Sequence, residues 1–358
     1  MQKKQNIAVR FAKAFWNMAV WFGKAFWNMK ERGIIIPTIV YAVLVQIVNP
    51  VFFTMANINN LLRQTGFVFI SGIGMTLVLI SAGIDLSVGS VLALSCVTAG
   101  IFMVNMGLPI AVAIVLALFI GAFVGLVNGA IIVKFKTPPM IMTLGMMFMA
   151  RGMVYVTTKG LPIYPMPRNF QAIEQSSLFG VPTLVWLSIF LCILFHIILT
   201  RTTFGRSIYA IGGNAAAAKL SGIPIGRITA SVFVISGIMA AITGIMMGSR
   251  LGSAQPSVGT GQEMIVIAAC IVGGTSTFGG RGTILGTAIG AFFMNMLTNS
   301  MTLMRVDIYY QNLVVGAVLV FAVILDQYSR ESALRGTRKT GKAITASVPE
   351  AKKDTPDA

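Results

Sequence analysis

Two short polar stretches interrupt long apolar blocks, and their residues are the ones whose types and spacing could do chemistry. Residues 83–90 read GIDLSVGS and carry Asp85, Ser87 and Ser90. Residues 273–283 read GGTSTFGGRGT and carry Thr275, Ser276 and Thr277. Asp85 is the only acid between Glu31 and Glu174. A charge in the middle of a membrane helix costs roughly 2.5–3.5 kcal/mol on insertion scales. Asp85 is therefore expected at a helix end, facing a cavity or capping the helix that starts near Val88, with Ser87 as the other candidate cap. Carboxylates and hydroxyls at broken helices line solute routes through membranes. A tight turn with a structural cap stays open for the first stretch. Close backbone packing stays open for the second, with its five glycines.

The other reactive side chains point away from catalysis. His196 is the only histidine and lies near the end of an apolar block, so it reads as interfacial packing rather than a metal ligand or proton relay. Cys96, Cys192 and Cys270 all lie in apolar blocks without metal spacing, which suits packing roles. Arg151 lies within a span and Glu263 opens another at a compatible depth, so a buried pair is one reading of them. Snorkelling or structural pairing of Arg151 is the other. Residues 336–342 match the spacing of a phosphate-binding loop, but Ala343 stands where Ser or Thr should meet magnesium. No strand pattern precedes them. The chain is expected to have no nucleotide site, metal or cofactor of its own, and no catalytic cluster.

The elements that must position these residues are membrane helices. Of 358 residues, 56% are hydrophobic and 10% charged, and the mean hydropathy is +0.84. Soluble domains carry about 25% charged residues. The fold expected is an all-α integral membrane protein with about ten transmembrane helices, some broken by glycine-rich segments. The spans are placed near 33–50, 66–82, 87–106, 109–133, 138–158, 183–200, 228–250, 262–275, 283–300 and 308–326. Alternating strand patterns are absent, which excludes a transmembrane barrel. Glycines at spacing four (Gly121, Gly125 and Gly129; Gly244 and Gly248; Gly282, Gly286 and Gly290) predict close helix packing.

Charge placement sets the orientation. The net charge of +17 could suggest nucleic acid, but 21 of the 27 basic residues fall on one side of the alternating spans. That is the positive-inside pattern, with both termini cytoplasmic and the membrane, not nucleic acid, as the partner. Residues 1–32 form a basic amphipathic segment in which KAFWNM occurs twice, eleven residues apart, so equivalent residues share a helix face. It is expected at the cytoplasmic interface, or as a basic lead-in that fixes topology. Residues 33–326 form the membrane domain, and residues 327–358 a disordered basic tail. Residues 159–182 are the longest external segment and could face an external partner.

Residues 201–227 form a polar loop with Arg201, Arg206, Lys219 and Arg227 and no acid. Gly212, Gly213 and Asn214 give a helix start, and Gly222 and Pro224 a stop. They predict a short helix near 214–221. Too short to span, it has the size to press into a groove on a soluble partner that drives the protein from outside the membrane.

Four stretches in order resemble the membrane-spanning permease subunits of bacterial ABC sugar importers, the ribose, galactose, arabinose and xylose group. They read GMTLVLISAGIDLSVGSVLAL, VGLVNGAIIVKFKTPPMIMTLGMMFMARG, TFGRSIYAIGGNAAAAKLSGI and IVGGTSTFGGRGTILGTAIGA. The resemblance covers roughly residues 33–326. It implies a location in the bacterial inner membrane and a dimer of permease subunits, identical or different. It also implies two cytoplasmic ATPase subunits and an extracytoplasmic sugar-binding protein. Gly205, Arg206, Ala210, Gly212, Asn214, Ala217, Gly222 and Ile223 match the family's ATPase-coupling loop. Asp85, Ser87, Ser90, Thr275, Ser276 and Thr277 are candidates for the translocation path or gate. A related permease class imports branched-chain amino acids. An ion-coupled secondary transporter would need more intramembrane acids than Asp85 and Glu263.

Overall fold

The computed structural model describes residues 32–346, so the KAFWNM segment lies outside the described residues. The helices are α1 Arg32–Val48, α2 Met55–Ile80, α3 Val88–Gly100 with a π-helical turn Ile101–Asn105, α4 Ile110–Phe135 and α5 Pro139–Thr158. There follow α6 Arg168–Gln175, α7 Thr183–Arg201, α8 Thr203–Gly213, α9 Ala215–Leu220 and α10 Ile225–Leu251. The last are α11 Gln262–Val272, α12 Ile284–Leu303 and α13 Ile308–Ala346. A two-residue hairpin, β1 Ser177–Leu178 with β2 Val181–Pro182, sits between α6 and α7. Pro109, Pro138, Pro167, Pro182 and Pro224 stand immediately before α4, α5, α6, α7 and α10. Proline has no N–H to lose and holds the residue before it out of helix, so each boundary is fixed locally.

Among the described residues, seven helices are long and apolar enough to cross a membrane: α2, α3 with its π turn, α4, α5, α7, α10 and the first part of α13. Length and composition alone do not confirm the expected count of about ten. α1 is a shorter apolar helix, α11 has 11 residues, and α12 is not among the seven despite its 20 residues. Two edges also move. The second helix begins at Met55, eleven residues before the expected 66, because Asn57, Asn60 and Arg63 mask its apolar pattern. Each is paired inside the protein: Asn57 exchanges amide hydrogen bonds with Asn299 at 2.9 and 3.0 Å, and Asn60 accepts from Arg250. Arg63 meets Glu174 at 3.2 Å. The last helix runs on to Ala346 where an unstructured tail was expected from 327. No proline interrupts the chain there before Pro349. Residues 336–342 are therefore helical, not a strand-to-helix phosphate loop.

α2 and α10 form the centre. The window of α2 that would cross the membrane is 83% buried, against 28% for α4, 22% for α5 and 6% for α13, which are outer helices. α10 packs against α4, α3 and α2, most extensively against α4. The glycine pattern explains that contact. A Cβ at Gly125 would overlap the Phe233 carbonyl, and one at Gly129 would lie 2.7 Å from Ala230 Cα. The helices touch backbone to backbone, as the spacing of four predicts. Interhelical hydrogen bonds tie the same core: Ser71 donates to Thr243 at 2.9 Å, and Thr76 is bonded to Thr287.

Two segments enter the bundle without helix. After α2 ends at Ile80, residues 81–87 turn back inward until Asp85 meets Ser236. Ser236 lies roughly 16 Å along α10 from its start, at 1.5 Å per residue. Residues 252–261 likewise descend from the opposite end until Gly259 lies against Gly89 and Leu92. α11 supplies only about 16 Å of the remaining path. Non-helical backbone at that depth is tolerated only where protein covers its polar groups.

Candidate functional site

The polar loop folds as two helices where one was expected. Thr202 starts α8 by accepting from Gly205 N at 3.2 Å. Asn214 ends α8 and starts α9, its Oδ1 accepting from Ala217 N at 3.0 Å. α9 stops where the sequence indicates, at Gly222 with φ +76. Sequence reasoning missed α8 because Gly205, Gly212 and Gly213 weaken its helix signal. Its buried face, Gly205, Ile208 and Ile211, recurs at helical spacing and was the available clue.

The outer surface of the loop is bare. Leu220 is 90% exposed, Ala215, Ala216 and Ala217 are exposed, and only Ala218 faces inward. Arg206, Lys219 and Arg227 are exposed in the same loop. α9 is thus a six-residue capped helix with an exposed apolar tip.

Its inner surface touches both broken segments. Gly280 N donates to Ile80 O at 2.8 Å, joining the second glycine stretch to the end of α2. Gly212 lies directly on that hydrogen bond: a Cβ there would overlap Ile80 O and lie 2.6 Å from Gly280 N. A Cβ at Gly279 would lie 2.8 Å from both Ala82 Cβ and Gly212 O. Tyr209 adds a bond from its hydroxyl to Gly282 O at 2.6 Å. Three chain segments thus meet at Gly212 by backbone atoms.

The candidate residues form two groups rather than one. Asp85 is buried, and its Oδ1 accepts from Ser87 N at 3.0 Å and Ser87 Oγ at 2.6 Å. Its Oδ2 accepts from Ser236 Oγ at 2.8 Å. Asn128 donates to Ser87 Oγ at 3.1 Å. Thr143 receives Leu86 N at 3.1 Å and donates to Ile84 O at 3.0 Å. The re-entrant turn is thereby fastened to α4, α5 and α10. The expected cap is not made: Ser87 is the N-cap residue of α3, without a side-chain capping bond. Ser90 is buried in the first turn of α3. In the second group, Ser276 Oγ, Thr277 N and Thr277 Oγ1 all donate to Asp326 Oδ2, at 3.1, 3.0 and 3.0 Å. Thr275 is buried beside them in sequence. Asp326 escaped the sequence reading because it lies 50 residues from Ser276, at the edge of the last apolar block.

Arg151 makes no ion pair with Glu263 among the described residues. Its guanidinium donates to the carbonyls of Pro256 and Val258, each at 2.9 Å, and of Gly89 at 3.1 Å. Burial of irregular backbone explains this arrangement. Residues 252–261 leave carbonyls without helical partners at membrane depth, and a five-donor side chain supplies them. Cys96, Cys192 and Cys270 are free thiols, and His196 is half-buried. Among the described residues no group of His, Cys, Asp and Glu could hold a metal ion.

At the end opposite α9, α6 is strapped over α2 and α10. Glu174 N donates to Ser249 Oγ at 3.1 Å, and Ser249 Oγ donates to Phe170 O at 2.7 Å. Ile163 and Ala254 exchange backbone bonds at 3.1 and 3.0 Å. Burial pushes the Glu174 carboxyl above the usual carboxylate range, and the nearby Arg63 and Arg250 only partly oppose it. The sign follows. A raised carboxyl favours folding fully below its ordinary pKa near 4.5, and that contribution is lost as pH rises through the raised value. Amide exchange in α6, corrected for its intrinsic pH dependence, is therefore expected to be slower at mildly acidic than at neutral pH. Glu174→Gln should flatten that dependence; an unchanged slope would assign it elsewhere.

Residues 57–323 match the family model described as branched-chain amino acid transport system / permease component. The chain is 41% identical over 302 residues to the ribose import permease protein of Haemophilus influenzae, covering 83% of this chain and 93% of that protein. It is 34% identical over 298 residues to the L-arabinose ABC transporter permease protein of Azospirillum brasilense, covering 83% and 88%. It is 35% identical over 340 residues to the xylose transport system permease protein of Escherichia coli K12, covering 78% and 86%. No solved structure matches the chain.

Proposed function

The chain belongs to the branched-chain amino acid transport system / permease component family, and from that premise we propose that it is the membrane-spanning subunit of an ATP-driven importer that moves a monosaccharide. It is a transporter component and not itself an enzyme. The family description names amino acids, but the relatives that align over most of this chain are named for ribose, arabinose and xylose. They favour the sugar reading. ATP hydrolysis then belongs to partner subunits, and sugar capture to a binding protein outside the membrane.

The observation that carries the mechanism is the Gly212 junction. α9 offers Leu220, with the basic residues of its loop, to the ATPase, while α8 rests by backbone on the Ile80–Gly280 hydrogen bond. Closure of the ATPase pair on ATP binding would carry α8 with it. The 81–87 and 273–283 segments would follow as one unit, with Asp85, Ser87, Ser90, Thr275, Ser276 and Thr277 as fastenings of the gate. Orientation follows the positive-inside pattern: α9 and both termini are cytoplasmic, and α6 with the hairpin is external. α1, α11 and α12 complete ten spans, which keeps both termini on one side. A second permease copy or a sister subunit completes the path.

The test is recovery of the ATPase with the tagged chain from its native membrane. Leu220→Asp places a charge on the apolar tip and should lower recovery about tenfold, the equivalent of about 1.4 kcal/mol. Asn214→Ala removes the cap of α9, costs about 1 kcal/mol of helix stability and should lower recovery less. Full recovery with both variants would remove α9 as the docking element.

A further inference from the structure

A small polar pocket of about 240 Å³ opens at the end opposite α9, lined by Tyr155, Gly160, Pro162, Gln255, Pro256 and Ser257. Its composition is unlike that of a lipid-facing groove. Gln255 and Ser257 are exposed, Tyr155 is 45% exposed, and Pro256 is buried behind them. The side chains of Tyr155, Gln255 and Ser257 make no hydrogen bond to other described residues. An aromatic ring, an amide and a hydroxyl thus face one space with their bonding capacity free.

The wall of this pocket is fixed from below. Pro256 lines it, and the Pro256 carbonyl accepts from Arg151 Nη1 at 2.9 Å. Tyr155 is on the same helix, α5, one turn beyond Arg151. The same guanidinium holds Val258 O and, on α3, Gly89 O. One side chain therefore ties the pocket wall to the start of α3, only two residues from Ser87. The pocket lies where residues 252–261 begin to descend into the bundle.

We propose that this pocket is an outer subsite for the sugar, which receives a monosaccharide on its way from the binding protein into the path. Tyr155 supplies a ring face for the sugar's C–H groups, and Gln255 and Ser257 bond to its hydroxyls. These are the elements of small polar-ligand sites: an apolar surface and a few convergent polar groups. The free volume of about 240 Å³ is enough for one sugar ring. Arg151 is the positioning residue, acting through the Pro256 carbonyl without touching the sugar. This inference rests on the importer reading above.

The other role for Tyr155 is an interfacial aromatic anchor, which holds the helix at the membrane surface and touches no solute. The two roles part on one ratio. The full importer in liposomes, with its ATPase and binding protein, is supplied with radiolabelled D-ribose, D-xylose or L-arabinose, and sugar uptake and ATP hydrolysed are counted together. For the sugar that the unsubstituted importer carries, Tyr155→Ala and the pair Gln255→Ala with Ser257→Ala should each lower sugar moved per ATP about fivefold or more. Tyr155→Phe, which keeps the ring, should recover most of the loss. Arg151→Lys should lower the same ratio because one ammonium cannot reach three carbonyls. The Gln255 and Ser257 changes are on exposed positions, so their folding is not at stake. A ratio within twofold of the unsubstituted importer for the Gln255 and Ser257 pair overturns the subsite. Failure of the unsubstituted importer to hydrolyse ATP in response to any loaded binding protein would instead overturn the importer reading itself.

Discussion

Gly212→Ala is expected to abolish ATP-driven uptake, while Gly213→Ala, one residue away, leaves it intact. A Cβ at Gly212 would overlap Ile80 O and press on Gly280 N at 2.6 Å. Those neighbours are backbone atoms, so no rotamer can relieve the overlap. Overpacking against side chains costs about 1–3 kcal/mol, and this site should lie at or above the top of that range. The chain has two ways to respond. It can lose the Ile80–Gly280 bond and separate the two broken segments, or α8 can lift away and lose its grip on both. Either way motion at α9 no longer reaches them. A Cβ at Gly213 meets nothing within 4 Å, and alanine should if anything stabilise the end of α8 by a few tenths of a kcal/mol. Uptake by the reconstituted importer, with the thermal stability of each variant in detergent, checks the pair. Equal uptake by both variants would show that the junction does not transmit motion.

Asp85→Ala should be the most destabilising single truncation in the membrane domain. It leaves Ser87 N, Ser87 Oγ and Ser236 Oγ without their shared acceptor in a buried place. Each unsatisfied buried group costs about 1–3 kcal/mol, so a loss of about 3 kcal/mol or more is expected for the three. Asp85→Asn keeps the shape and an acceptor for both Ser87 bonds, and its amide can donate to Ser236 Oγ. It should therefore retain most of the stability. The equivalent change at Asp326, which is only half-buried and binds a single loop, should cost less. Thermal unfolding of the three variants in one detergent orders them. Asp85→Ala as stable as Asp326→Ala would mean that the re-entrant turn is held by packing alone.

Local signals made the helices legible. Five helices start right after a proline, and α9 lies between an asparagine cap and a glycine stop. Six of the eight glycines at spacing four meet backbone as their spacing implies, while Gly248 and Gly282 meet side chains. What the sequence hid depends on distance along the chain. Asn57 looks like a polar break until its partner Asn299 is seen, and Asp326 has no meaning without Ser276 and Thr277. Depth was also hidden. Hydropathy counts residues along a helix, so it cannot register that residues 81–87 turn back inward. Asp85 lies just before α3, at a helix end as expected, but deep in the bundle beside Ser236. In the structure Gly89, which follows Asp85 by four residues, is bonded to Arg151. Arg151 itself looked like half of an ion pair because sequence cannot show unsatisfied carbonyls.

The most direct test of the central claim is sugar uptake into liposomes that hold the chain with its ATPase, with a sugar-loaded binding protein outside. Uptake should require ATP, the ATPase and the binding protein together, and should cease when Leu220→Asp breaks the contact at α9. Uptake by the chain alone, without ATP and driven by an ion gradient, would contradict the account and make the α8–α9 loop a structural connection rather than the point of drive.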